Sequence, residues 1–131
     1  MSDLDIEIRL SKQTIDWFTK AAPKRLTEAR KNAVEAMGMV WADEAKEVTR
    51  EDNHVDTGLY VNSIGYATGS PSNPLYILSE NGNKTELEIG AAVEYASSLE
   101  KRFNIFARGL DRGKERMDKV AAIQVRKTLD L

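Results

Sequence analysis

Residues 23–50 read PKRLTEARKNAVEAMGMVWADEAKEVTR, and their spacing decides the fold. Leu26, Ala29, Ala33, Met37, Val40, Trp41, Ala45 and Val48 recur at steps of three and four, the period of one face of an α-helix. Lys24, Arg25, Glu28, Lys31, Glu35 and Glu47 hold most of the other face. Pro23 suits a first helical position, where its missing N–H is no loss. At about 1.5 Å per residue such a helix is roughly 40 Å long. That is long for a chain of 131 residues, so the helix should be the spine against which a sheet packs. Gly38 costs about 1 kcal/mol in a helix interior, which leads us to expect close packing there.

On the N-terminal side, Leu4, Ile6, Ile8 and Leu10 alternate with Asp5, Glu7 and Arg9, the period-two pattern of a half-buried strand. Ser11 can cap a short helical segment carrying Ile15, Trp17 and Phe18. On the C-terminal side, Glu51–Asp56 is a polar connector, and Asp56-Thr57-Gly58 supplies turn chemistry. Leu59–Ala67 reads as a strand. Thr68-Gly69-Ser70-Pro71-Ser72-Asn73-Pro74 is the clearest loop. Leu75–Ser79 and Thr85–Gly90 read as strands joined through Asn81-Gly82, which predicts a type I′ hairpin turn. Leu87 and Ile89 should face inward, Glu86 and Glu88 outward. A short helix is expected from Ala91 or Ala92 to about Arg102, and an irregular stretch over Asn104–Gly109. A final helix from Leu110 or Asp111 to Leu129 should carry Met117, Val120, Ala121, Val125 and Leu129 on one side, with Gly113 weakening its first turn. The expected fold is α+β over one domain, residues 1–131. A long helix in the N-terminal half packs on a small antiparallel sheet of about four strands, with a short helix and a C-terminal helix added.

Composition narrows the function. Hydrophobic residues at 41%, charged residues at 31% and a net charge of −2 suit a globular protein with no general electrostatic pull toward nucleic acid. There is no cysteine, so disulfides and thiolate metal sites are excluded. Met1–Leu10, with four charged residues, does not read as a signal peptide. No run of about 18 apolar residues predicts a membrane span.

Catalytic signals are weak. His54 lies near Glu51, Asp52 and Asp56, but one histidine among loop carboxylates lacks the ordered spacing of a metal site. Ser63 with His54 and an aspartate is a triad in composition only, without a nucleophile elbow. Glu94 and Glu100, six apart, would point away from each other on a helix. Gly109-Leu110-Asp111-Arg112-Gly113-Lys114 lacks the spacing of a phosphate loop. Asn83-Lys84-Thr85 matches a glycosylation sequon, which has no meaning without a secretory route. No enzyme activity, cofactor or metal is therefore expected. Lys101, Arg102, Arg108, Arg112, Lys114, Arg116 and Lys119 make the C-terminal third basic, with Phe103 and Phe106 interleaved. Three readings stand: contact with nucleic acid, contact with an acidic protein, or a solvated helix face above two core phenylalanines.

Three pieces in order carry a resemblance: Asp56, Thr57, Gly58, Ser63 and Ile64 in an Asp-Thr-Gly-x-x-x-x-Ser-Ile segment; a strand ending at Gly90; and Val93-Glu94-Tyr95-Ala96 with Glu100 shortly after. Behind a long helix, this order resembles the tail-component family of long-tailed, siphovirus-type bacteriophages over roughly Lys31 to Glu100. Physically, Asp56–Gly58 would shape the turn leaving the helix, Tyr95 and Ala96 would seat the short helix, and Glu100 would cap it or pair with nearby arginines. The chain departs from the family after Glu100. Where members show Phe-Gly-Thr and later Phe-Leu-x-Pro, it has Lys101-Arg102-Phe103-Asn104-Ile105-Phe106-Ala107-Arg108-Gly109, which leaves the subfamily open.

The resemblance implies a structural virion protein of the phage neck, assembled in the bacterial host cytoplasm. It would be a ring of six or twelve copies, joining the head-side connector to the tail terminator or tail tube. DNA passing through the lumen would be a candidate further contact, and no membrane would be involved. A tail terminator or minor capsid protein is the alternative within the structural class. A small nucleic-acid-binding regulator using the basic C-terminal segment is the alternative outside it. Interface candidates are Gly69, Ser70, Pro71, Ser72 and Asn73 in the loop, and Lys101, Arg102, Phe103, Phe106 and Arg108 after the short helix.

Overall fold

A computed structural model describes residues 4–7, 23–52 and 58–131. In chain order the elements are β1 (Leu4–Glu7), α1 (Pro23–Glu51), α2 (Leu59–Ser63), β2 (Pro74–Asn81), β3 (Lys84–Ala91), α3 (Ala96–Phe103) and α4 (Ile105–Leu129). The long periodic stretch forms α1 one residue beyond the predicted end. The helical segment expected over Ser11–Phe18, the strand residues Ile8–Leu10, His54, Asp56 and Thr57 lie outside the described residues.

The sheet is antiparallel, in the order β1-β3-β2. Its body is the two-stranded hairpin β2–β3, in which Leu78 pairs with Leu87 and Tyr76 with Ile89. The backbone of β1 pairs along the other edge of β3, Leu4 with Ile89 and Ile6 with Leu87. About four strands were expected; the missing one is Leu59–Ala67, which is helical over Leu59–Ser63. Tyr60, Val61, Ser63 and Ile64 are all buried, a set that one helical turn can point inward and an alternating strand cannot. The hairpin turn also sits one residue later than expected. Gly82 and Asn83 lie between the strands, with positive φ at Gly82 (+64°) and not at Asn83. That is the type II′ pattern, with glycine at the first central position.

Leu87 and Ile89 face the core as expected, 1% and 0% exposed, while Glu86 is exposed. A Cβ on Gly38 would lie 2.5 Å from Leu87 Cδ2, so α1 meets the sheet at its interior glycine. β2 is an outer strand, and its Ile77 is 52% exposed.

Another face of α1 holds α4. The region expected to be irregular, Asn104–Gly109, is helical from Ile105 onward. Gly113, expected to weaken the first turn of the final helix, and Gly109, expected in the irregular stretch, are both buried within α4. A Cβ on Gly109 would sit 3.0 Å from the Cα, Cβ and N of Ala45. Here glycine lets two helix backbones approach, at a propensity cost of about 1 kcal/mol. The two helices run antiparallel: Asn32 Nδ2 donates to Thr128 Oγ1 at 2.9 Å at one end, and Arg108 pairs with Asp52 at the other. Trp41, fully buried, fills the seam edge-on to Phe106, with ring centroids 4.9 Å apart, and its Nε1 donates to Phe106 O at 3.0 Å.

Candidate interaction surface

Two of the sequence-derived segments, the loop Thr68–Pro74 and the stretch Lys101–Arg108, are positioned by different means. The loop follows α2, whose entry is Gly58 at φ +88°, a left-handed conformation that glycine adopts without steric cost. Ser63, fully buried, donates to Leu59 O and accepts from Asn73 N at 2.7 Å. Asn73 in turn donates from Nδ2 to Ala92 O at 2.6 Å and accepts from Ala92 N at 2.9 Å. Within the loop, Thr68 N donates to Asn62 O at 3.1 Å, and Asn62 Nδ2 to Pro71 O at 3.2 Å. Gly65 N donates to Gly90 O at 2.8 Å, tying the segment to the end of β3. Gly69, Ser70 and Pro71 stay exposed at the tip and Ser72 is half-buried. The Ser70–Pro71 peptide is cis. The loop therefore presents a short exposed apex on a pinned base.

The base rests on Lys46, which the sequence reading missed. This side chain is 1% exposed. Its Nζ donates to Val61 O (2.9 Å), Tyr66 O (2.8 Å) and Thr68 Oγ1 (3.0 Å), and it lies 4.5 Å from the centre of the Tyr66 ring. All three ammonium protons find acceptors, which makes a buried cation tolerable. Burial nonetheless pushes its pKa down to about 8, with Arg50 adding to the fall and Asp43 opposing it. The available signal was its position. Lys46 follows Ala42 by four residues and precedes Thr49 by three, so it lies inside the apolar arc of α1. Arg30 plays a similar part at the far end of the hairpin: it is 8% exposed, pairs with Glu80, and donates to Thr85 Oγ1 at 3.3 Å and Gly82 O at 3.1 Å.

The second segment is a corner between helices. Asn104, at φ 52°, ends α3 and immediately precedes α4. Glu100 reaches across it: Oε1 accepts from Phe106 N at 2.6 Å and Oε2 from Ala107 N at 3.2 Å. It thus caps α4, satisfying two of the amides that a helix start leaves open. Arg108 Nε returns a bond to Phe103 O at 3.1 Å. Phe106, chosen from sequence as an interface candidate, is 2% exposed and stacks on Tyr60 at 6.0 Å. It belongs to the core. Phe103 is half-buried beneath Arg102, whose Cζ lies 5.1 Å from its ring centre. Lys101 and Arg102 remain as the exposed part. Of the remaining motif residues, Ile64 is fully buried and Ala96 is 2% exposed. Tyr95 is 42% exposed, its ring tilted against Tyr60 at 6.4 Å. The Tyr60 hydroxyl is buried without a hydrogen-bond partner among the described residues.

The basic C-terminal third finds an acidic partner inside the molecule. Arg108 pairs with Asp52, Arg112 with Glu51 at 2.6 Å and Glu44 at 3.2 Å, and Arg116 with Glu44 at 3.1 Å. Three of the seven cations therefore face carboxylates of α1 or of the residue just after it. That weakens the case for a nucleic-acid surface and favours the reading of a helix face above core phenylalanines. Among the described residues no helix is long and apolar enough to cross a membrane.

The model of one protein family, described as "Bacteriophage HK97-gp10, putative tail-component", matches residues 12–101. The match covers more than half the chain and contains α1, α2, the hairpin, the loop and most of α3. It stops at Lys101, where the sequence leaves the pattern of the phage tail components it resembles. No curated protein and no solved structure matches the chain.

Proposed function

The chain belongs to the bacteriophage HK97-gp10-like tail-component family, and from that premise we propose that it is a ring-forming subunit of the phage neck. As a member it is a structural phage protein of the tail or neck. The finer reading is that copies close a ring of six or twelve between the head-side connector and the tail terminator or tail tube, around a channel for DNA. The observation that carries this reading is the pinned loop with its exposed apex Gly69–Pro71. Irregular segments presented by a rigid base are where binding residues concentrate, and a closed ring needs such a heterologous patch on every copy. Lys101 and Arg102, exposed at the end of α3, are the second contact.

The test is imaging with mass determination on the purified protein, alone and mixed with tailless heads or headless tails of the same phage. Rings, or added density at the neck, are expected. A wild-type protein that stays monomeric at high concentration and joins neither particle overturns the proposal. Substituting Ser70→Glu, Lys101→Glu and Arg102→Glu together should leave helical circular dichroism unchanged and abolish assembly. Asn73 should be spared in any such variant, because its bonds to Ser63 and Ala92 hold the loop base.

A further inference from the structure

Two isoleucines are more than half exposed among the described residues: Ile77 on β2 at 52% and Ile123 on α4 at 56%. Each stands among charges of one prevailing sign, and the two signs are opposite. On the sheet, Tyr76 donates to Glu35 Oε2 of α1 at 2.7 Å, so its neighbour Ile77 stands on the outward face. The same alternation on β3 turns Glu86 and Glu88 outward, between the buried Thr85, Leu87 and Ile89. The register sets Ile77 opposite Glu88 and Ser79 opposite Glu86. Along the other edge of β3 it sets Asp5 opposite Glu88 and Glu7 opposite Glu86. Lys84 bridges Glu86 at 2.6 Å, one cation against the acidic positions 5, 7, 86 and 88.

On α4, Met117 is buried and Thr128 accepts from Asn32, which fixes the side turned to α1. Lys119, Ile123 and Lys127, spaced by four, form a ridge on another side, and all three are exposed. Arg126 and Asp130, beside the end of this ridge, offset each other. The sheet meets α1 at Gly38 and α4 meets it at Ala45 and Asn32. The two patches therefore lie on different sides of one molecule.

We propose that these patches are the two halves of one head-to-tail contact between copies of this chain: the Lys119–Ile123–Lys127 ridge of one copy docks on the Ile77–Glu86–Glu88 face of the next. The inference rests on the ring reading and names the surfaces that would close the ring.

The charges argue for a second copy as the occupant. Ridge against sheet sets lysines beside carboxylates and buries both isoleucines at the centre, an apolar middle with a charged rim. Ridge against ridge, or sheet against sheet, sets like charges together, which disfavours a two-fold dimer. A contact between two different patches of the same chain is heterologous, the kind that generates rings when the rotation closes.

Charge reversal tests the pairing. The sheet variant carries Glu86→Lys and Glu88→Lys; the ridge variant carries Lys119→Glu and Lys127→Glu. Each alone should keep wild-type circular dichroism and lose assembly, both in rings of the purified protein and in added density on heads or tails. Mixed in equal amounts, the two should assemble again, because every ridge then finds a sheet of opposite charge. Alternation closes without a mismatch in a ring of six or twelve, both even. Ring-sized mass from either variant alone overturns the inference, as does a folded pair that stays monomeric on mixing. Should the sheet variant misfold, Ile123→Asp and the ridge variant decide, and full assembly of either overturns the inference. Failure of the ring reading looks different: the wild-type protein itself then stays monomeric and joins neither particle, and both readings fall.

Discussion

The seam between α1 and α4 and the base of the loop after α2 are held by opposite kinds of contact. At the seam, Trp41, Phe106 and Met117 exclude water, and Gly109 against Ala45 brings the backbones together. At the loop base a handful of buried polar atoms do the work: Lys46 Nζ, Ser63 Oγ, and the Asn73 amide and side chain. Apolar packing is spread over many atoms and resists any single opening, whereas polar anchors fail one at a time. The contrast separates a body held by distributed packing from a loop base held by a few polar bonds.

The largest expected effect lies in the seam. Phe106→Ala should cost about 3–5 kcal/mol of global stability, read by denaturant unfolding. It removes the ring stacked on Tyr60 and set edge-on to Trp41. A loss under 1 kcal/mol would show that the seam is looser than its packing and would dissolve the contrast. Next comes Ser63→Ala. Leaving the Asn73 amide without its acceptor should cost about 1–2 kcal/mol. The loss should fall mainly on the loop, so exchange at Asn73 should accelerate more than exchange along α4. Equal acceleration everywhere would mean that the loop base and the body open as one unit. The smallest effect is expected for Arg112→Ala. Its pair with Glu51 is exposed and its pair with Glu44 half-buried, and pairs near the surface contribute little, so Tm should move by no more than a few degrees. A clear drop would make the arginine–carboxylate row part of the seam and would sharpen the division differently.

How much of this was legible depended on periodicity. α1 was readable to within one residue because its apolar positions from Leu26 to Val48 repeat over about six turns. The hairpin was readable from alternation and a glycine turn, although the turn centre slipped by one residue. Leu59–Ala67 was misread because β-branched and aromatic residues favour strands when only propensity is consulted. Tyr60, Val61 and Ile64, at helical spacing, held the contrary signal. Gly109 and Gly113 misled for another reason. A glycine that breaks a helix and one that lets a second helix approach look alike until the partner, here Ala45, is known. The loop was visible from its prolines, glycine and serines, but its anchor was not. Nothing local distinguishes Lys46 from a solvated lysine except its place in the apolar arc, and nothing local points it at Val61, Tyr66 and Thr68. Phe106 was placed at an interface because Asn104–Gly109 was read as irregular; the helix that starts at Ile105 turns it into the core.

The outer strand β2 has a consequence for the chain before it is incorporated. From Leu75 to Ser79 it carries no charge, Ile77 is exposed, and the guarding Glu80 is turned toward Arg30. Among the described residues no strand pairs with this edge, and such an edge is a template for adding strands from other molecules. Free subunits should therefore lose solubility steeply as their concentration rises, with β-rich precipitate and not unfolded chain as the product. The time a newly made copy spends alone then becomes a liability, which prompt incorporation relieves.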